Sequence, residues 1–309
     1  MQTNNDSGGK GNQGRPKRKR ITTQYQKETG HKQIRRDGGS GPQKPHREGL
    51  YRADRPHRKD SHAPLSKQPK VPGEIRLNRF IANSGICSRR EADVFIETGL
   101  ITVNGKTETR LGVKVHISDD VRLNGQRINP EATTYLVMNK PKGYVTTMKD
   151  KHADNTVMDL IAGQCTQRVF PVGRLDKNST GVLLFTNDGA LTEKLTHPSY
   201  NKKKIYQVQL DKRLKKSDME KLVQGVKLED GPMHVDAISY INDSEKDVGV
   251  EIHSGKNRIV RRLFESLGYK VKKLDRVYFA GLTKKGLERG QWRYLTNEEI
   301  NKLKSGFYQ

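Results

Sequence analysis

Near the middle of the chain, "PVGRLDKNSTGVLLFTNDG" (Pro171–Gly189) sets one acidic residue, Asp176, between Arg174 and Lys177, in a turn-rich stretch that feeds an apolar run. Two later segments carry other reactive side chains. "KKIYQV" places Tyr206 on a strand with basic neighbours, and "GKNRIVRRLF" delivers Arg261 and Arg262 near the start of a helix. One carboxylate, one aromatic face and one arginine make a sensible kit for acting on a nucleobase. The ring can stack on the base, and a guanidinium beside the carboxylate favours its charged form. Each residue also has an ordinary reading: Asp176 fits an exposed loop aspartate in an ion pair, and Tyr206 alone fits a core position.

Other chemistries lack their residues. No G-x-G-x-x-G follows a strand and no G-x-x-x-x-G-K-[ST] occurs, so dinucleotide, methyl-donor and nucleoside-triphosphate chemistry find no support. The two cysteines, Cys87 and Cys165, have no metal-like spacing and are expected to be buried small hydrophobes. Of nine histidines, four lie in the first 72 residues. His197 and His253 have no nearby Cys or His partner, which predicts structural or surface roles. Neither a cofactor nor a metal is expected.

The elements that must position these residues can be traced from caps and periodicity. Ile75, Leu77, Phe80 and Ile81 follow near-helical spacing up to Gly85. "SRREADVFIETG" predicts a second helix, with a Ser88–Glu91 capping box and an apolar face of Ala92, Phe95 and Ile96. "LITVNGKT" and "VRLNGQRI" alternate apolar and polar residues around Asn-Gly, the strongest short hairpin signal. Residues 74–128 thus form a helix–helix–hairpin unit, and "NPEATT" is a short linker. From 133 to 305 the pattern predicts a second domain. "YLVMNKPKGYVTT" is strand-like on either side of a turn, "GVLLFT" is a buried strand, and "KKIYQVQL" and "DVGVEIH" are further strands. Helices are expected at "DGALTEKLTH", "KKSDMEKLVQG", "RIVRRLFESLG" and "TNEEINKLK", the last with a Thr296–Glu299 capping box. Strands and helices mix without a βαβ rhythm, so the fold class is α+β.

Charge points to the partner. Residues 1–72 hold 18 Lys and Arg against 6 Asp and Glu, and the remainder holds 41 against 29, so both parts carry +12. The first segment cannot bury enough apolar surface to offset its chain entropy and is predicted to be a disordered basic tail. The excess of cations predicts a polyanionic partner. With no long apolar run and no signal-like start, the protein is expected to be cytoplasmic, without membrane association.

Two resemblances sharpen this reading. "IRLNRFIANSGICSRREADVFIETGLITVNGK" resembles the S4-type RNA-binding domain, in which Arg76, Arg79, Arg89 and Arg90 would face phosphates; the alternative is a solvated basic helix with no partner. Behind it, "GRLDKNSTGVLLFTND", "KIYQV" and "GKNRIVRRL" resemble, in order, the RsuA/RluB family of ribosomal RNA pseudouridine synthases. The resemblance spans about residues 74–300. It implies an S4-type domain followed by a mixed, mainly antiparallel-sheet catalytic domain, and isomerisation of a specific uridine to pseudouridine in ribosomal RNA. It leans towards 23S over 16S RNA and towards a monomer. Asp176 then corresponds to the catalytic aspartate, Tyr206 to the active-site tyrosine and Arg261 to the cation paired with the aspartate, while Arg174 could hold a phosphate. "NKPKG" (Asn139–Gly143) matches the family's first motif and "KLDRV" (Lys273–Val277) a late Leu-x-Arg motif. Two departures bear on substrate detail: Ser254 stands where many members have Glu, and Ala280-Gly281 replaces a common Gly-Pro. Competing readings are a non-catalytic RNA-binding or ribosome-assembly factor and an S4-fused methyltransferase; the second lacks a glycine-rich methyl-donor loop.

Overall fold

The computed structural model describes residues 73–148 and 155–306. The basic segment 1–72, with the disorder expected of it, lies outside these residues.

The first unit opens with β1 (Glu74–Arg76), α1 (Leu77–Asn83) and α2 (Arg89–Glu97). Ile75 therefore belongs to a strand and not to the first helix, because residues 74–76 pair with β4 (Lys114–His116). The Ser88–Glu91 capping box forms on α2: the Ser88 hydroxyl accepts from the Glu91 N–H, and the Glu91 carboxylate accepts from the Ser88 N–H. Both Asn-Gly hairpins form. One joins β2 (Ile101–Val103) to β3 (Lys106–Thr107), and the other joins β5 (Val121–Leu123) to β6 (Gln126–Arg127). Asn104 and Asn124 each sit at φ 50°, the left-handed backbone that these turns require and asparagine tolerates. Leu77, Phe80, Ile81, Ala92, Ile96 and Ile101 form the core between helices and hairpins.

The second unit is built on one mixed sheet. Its strands are β7 (Tyr135–Lys140), β8 (Phe170–Pro171), β9 (Thr180–Thr186), β10 (Lys204–Leu210), β13 (Ala237–Tyr240), β14 (Asp247–Ile252), β15 (Val271–Phe279), β16 (Leu282–Thr283) and β17 (Trp292–Tyr294). The spatial order is β13-β14-β10-β15-β9-β7-β17, with β8 beside β9 and β16 beside β15. Every pairing is antiparallel except β15 with β9. A small separate hairpin, β11 (Val226–Leu228) and β12 (Gly231–Met233), lies between α4 (Lys216–Gln224) and β13. The other helices are α3 (Gly189–Thr196), α5 (Ile259–Glu265) and α6 (Asn297–Ser305), each where its periodicity predicted.

The apolar runs explain why β7 and β9 are central. Along β7 and β9, Val137, Val182 and Leu184 face a core closed by α3 and α6. Leu136, Met138, Leu183 and Phe185 face the opposite core with Val157, Ile161 and Leu175. A strand buried on both faces needs a continuous apolar run, and "YLVM" and "VLLF" supply it. The strand pattern after "KPKG" is not realised: Val145 makes only an isolated bridge to Thr156. That segment hands its hydrogen-bonding groups to loops, with Gly143 N–H donating to Lys177 O over 2.8 Å and Thr146 Oγ1 donating to Leu175 O. Cys87 is buried as expected, whereas Cys165 is half-buried, its thiol reaching the Gln167 carbonyl.

Candidate active site

Asp176 lies on the loop between β8 and β9, where the sheet changes from antiparallel to parallel pairing. Its position is tied down through its backbone. The Lys140 ammonium, at the end of β7 and without solvent exposure, donates to the carbonyls of Pro141 (3.0 Å), Asp176 (3.3 Å), Lys177 (3.4 Å) and Ser179 (3.0 Å). The "NKPKG" motif is therefore a clamp on the Asp176 loop. Burial pushes the Lys140 amine down to about 8, against the opposing pull of the Asp176 charge.

The side chain of Asp176 is part-exposed and meets two groups. Arg261 Nε stands 3.7 Å from Oδ2, and the Ser179 hydroxyl 3.4 Å from the same oxygen. Arg261 is buried on α5 and anchored at its far side, Nη1 donating to Val271 O over 2.9 Å. Burial lowers the Arg261 pKa, with Arg258 acting in the same direction and Asp176 opposing; an arginine remains a cation regardless.

Tyr206 sits on β10 and packs against both cores that flank the site. Opposite it in the β10–β15 register is Arg276, almost wholly buried, whose Nε donates to Val182 O (2.9 Å) and whose guanidinium covers the Phe279 ring at 4.6 Å. Arg276 thus stands beside Tyr206 on the neighbouring strand and lines the same site. Lys204, two residues before Tyr206 on the same face, donates to His253 O over 2.7 Å and so ties β10 to the "SGKNR" loop. Burial, with Arg276 nearby, brings the Lys204 amine down to about 8.

Asp176, Tyr206, Arg276 and the exposed Arg174 line one cleft of about 140 Å³, with the Arg258–Val260 end of the "SGKNR" loop on its far wall. Arg261 touches the carboxylate from behind that wall. The S4-side arginines divide. Arg79 and Arg89 line a second cleft of about 320 Å³ together with Arg168 and Phe170 of the sheet domain; Arg76 and Arg90 lie outside it. Arg168 also donates to the Cys87 carbonyl over 2.8 Å, a direct tie between the two domains. Among the described residues none of Arg76, Arg79, Arg89 and Arg90 has a carboxylate partner.

Lys140, Lys204 and Arg276 were not singled out by sequence reasoning. The first and last lie inside motifs that were, but their work depends on which carbonyls the fold brings to them. No group of three or more His, Cys, Asp or Glu able to hold a metal occurs among the described residues. No helix there is long and apolar enough to cross a membrane.

A carboxylate, a tyrosine and an arginine gathered in one cleft of a mixed sheet, behind a basic helix–hairpin domain, match two known domain families. Residues 75–121 match the S4 domain, and residues 134–266 match RNA pseudouridylate synthase. The class is a pseudouridine synthase preceded by an S4 domain. The chain is 38% identical over 236 residues to the ribosomal large subunit pseudouridine synthase B of Bacillus subtilis (strain 168), covering 74% of this chain and 96% of that one. It is 37% identical over 233 residues to the dual-specificity RNA pseudouridine synthase RluF of Escherichia coli (strain K12), covering 73% and 77%. A crystal structure of a pseudouridylate synthase superposes with a TM-score of 0.54 at 27% identity, covering 74% of this chain and 99% of that one. The chain belongs to the RNA pseudouridylate synthase family.

Proposed function

We propose that the protein isomerises a specific uridine of ribosomal RNA to pseudouridine, that its substrate is 23S RNA of the large subunit, and that it works as a cytoplasmic monomer. The observation that carries the chemical reading is the pairing of Asp176 with Arg261, which stands 3.7 Å from it behind the wall of the cleft that Asp176 shares with Tyr206. The choice of large-subunit RNA rests on the named activity of the Bacillus relative.

In this reaction the C1′–N1 bond breaks, the uracil turns, and a C1′–C5 bond forms. C5 loses a proton and N1 gains one, so atoms and electrons balance with no other reactant. A uridine inside folded RNA must first be flipped out, at an unstacking cost of a few kcal/mol. Tyr206 presents its ring to the flipped base, and such stacking contributes about 1–3 kcal/mol. Asp176 is the group that acts on the nucleoside. Arg261 supplies its counter-charge from a buried, anchored position, so that approaching phosphates do not displace the carboxylate. Lys140 is a positioning residue, since it holds the loop and not the side chain. Arg174 at the cleft mouth holds a phosphate, while Arg79 and Arg89 hold the RNA backbone at the cleft shared with Arg168. Arg76 and Arg90 add to the field of the S4 domain.

The test is release of tritium from uracil C5 in ribosomal RNA. Wild type should release it and Asp176→Asn, nearly isosteric, should not, while both bind RNA alike. Full activity in Asp176→Asn would end this mechanism. RNA binding without release by either protein would instead favour an assembly factor.

A further inference from the structure

We infer that the buried guanidinium of Arg276 stabilises the negative charge that passes onto the uracil ring while its bond to the sugar is exchanged. The inference rests on the isomerase reading above and adds a group to it. Arg276 is 3% exposed and lines the cleft that holds Asp176 and Tyr206. Taking such a cation out of water is costly, and a carboxylate normally offsets the cost. Here none does. Among the described residues Arg276 forms no ion pair: Asp176 is held by Arg261, and the adjacent Asp275 by Lys284 and Arg289.

The protein meets this cation with neutral groups alone. Nε donates to Val182 O, the guanidinium lies 4.6 Å from the centre of the Phe279 ring, and the Tyr206 hydroxyl is the one group whose contact favours the charge. Nη2 is buried with no hydrogen-bond partner. Lys140, equally buried, shows the contrast, since its ammonium is satisfied by the carbonyls around it. Arg276 is therefore incomplete until an anion joins it. A phosphate keeps its own water and is met by exposed groups such as Arg174. What comes beside Arg276 is the base stacked on Tyr206, its register partner.

Uracil becomes anionic whichever way Asp176 acts. If C1′–N1 breaks first, the bonding pair leaves with N1 and is shared with O2 and O4. If the carboxylate first adds to C6, the pair of the C5–C6 double bond moves onto O4 as an enolate. After the turn, C5 gives its pair to C1′ and releases its proton, and N1 takes one up. The charge is absent from bound uridine and from pseudouridine. A fixed cation in a water-poor wall thus favours the transition state over either, which is what accelerates a reaction.

Arg276→Met, uncharged and similar in length, separates the possible roles. It removes a cation whose burial is uncompensated, so Tm should stay at or above that of wild type. Affinity for 23S RNA and its salt dependence should not change, because the charge arises only after binding. Single-turnover tritium release should fall by about a hundredfold or more, the usual effect of removing a preorganised donor, and Arg276→Lys, which keeps the charge, should recover about tenfold of it. 5-Fluorouracil forms its anion more readily than uracil. With 5-fluorouridine at the target, the deficit of Arg276→Met, read as consumption of that nucleoside, should therefore shrink. A clear fall in Tm would make Arg276 structural, and weaker binding with a salt slope flattened by about 1 would make it a phosphate contact. Unchanged tritium release, or an equal deficit on both substrates, would leave it no part in the chemistry. Each of these results would overturn the inference. If wild type itself releases no tritium, the isomerase reading has failed, and the role of Arg276 falls with it.

Discussion

Gly181 is where a single methyl group should do the most harm. It stands at φ +111° in β9, directly against β15 in the parallel pairing. A Cβ there would lie 2.1 Å from Arg276 O and 2.6 Å from Arg276 N, whereas ordinary contact begins near 3.4 Å. Both obstacles are backbone, so β15 must withdraw by more than about an ångström. The alanine also adopts a backbone conformation costing about 1–3 kcal/mol. Withdrawal loosens the Thr180–Asp275 and Gly181–Arg276 pairing and the Arg276–Val182 bond, each hydrogen bond worth about 1 kcal/mol. Together these give about 3–5 kcal/mol, or a fall in Tm of about 10 °C for a folded region of this size. The chemistry should suffer too, because Arg276 is the register partner of Tyr206, and misplacing a reactive group by about 1 Å can cost about a hundredfold in rate. Thermal melts and tritium release on Gly181→Ala measure both. The control is Gly249→Ala, whose Cβ would meet nothing closer than Ser239 Oγ at 3.5 Å. If Gly181→Ala melts within about 2 °C of wild type, a shift of no more than about 1 kcal/mol against the 3–5 expected, the close approach is not obligatory.

Three further outcomes are expected. Lys140 and Lys204 are both held at about 8, below an ordinary lysine, so between pH 8 and roughly 10 the unfolded chain binds more protons than the folded one and stability should rise with pH. In urea melts, Lys140→Met should remove its share of that rise, worth up to about 3 kcal/mol; an unchanged slope would mean that the buried amine is not the source. Replacing Arg79 and Arg89 together by Ala should weaken RNA binding regardless of sequence and flatten the log K against log[salt] slope by about 2, one unit for each lost phosphate contact. A slope equal to wild type would remove these residues from the RNA interface. Tyr206→Phe keeps the stacking ring, so RNA affinity should stay within about threefold, since stacking and not the hydroxyl is what binds the base; a large loss in a filter-binding titration would reveal a hydroxyl contact.

The late Leu-x-Arg motif shows how far a pattern can reach and where it stops. "KLDRV" marks a position by resemblance, but nothing in five residues says that Arg276 will lie beside Tyr206 and over Phe279. The Ala280-Gly281 departure becomes intelligible only in place. The pair forms the two-residue turn between β15 and β16, with Ala280 at φ 47°, a conformation that glycine adopts more readily. The strand expected after "KPKG" failed for a related reason. Alternating polarity is a local signal, while the backbone partners of that segment lie in two loops further along the chain, Lys177 for Gly143 and Asn155 and Val157 for Val145.

Local chemistry is legible in a sequence because its causes are local. The Ser88–Glu91 and Thr296–Glu299 capping boxes, the two Asn-Gly hairpins and the doubly buried strands follow from residues a few positions apart, and all form as expected. The motifs around Asp176, Tyr206 and Arg261 were likewise readable as a set, from their types and their order. What the tertiary structure alone decided is which of these distant residues meet. Arg261 comes to within 3.7 Å of a carboxylate 85 positions earlier because α5 packs under β10 and β15. Lys140 loses its water because a loop some 36 residues on folds its carbonyls around the ammonium. Burial, and with it the balance of each charge, depends on that long-range closure, and no window of sequence contains it.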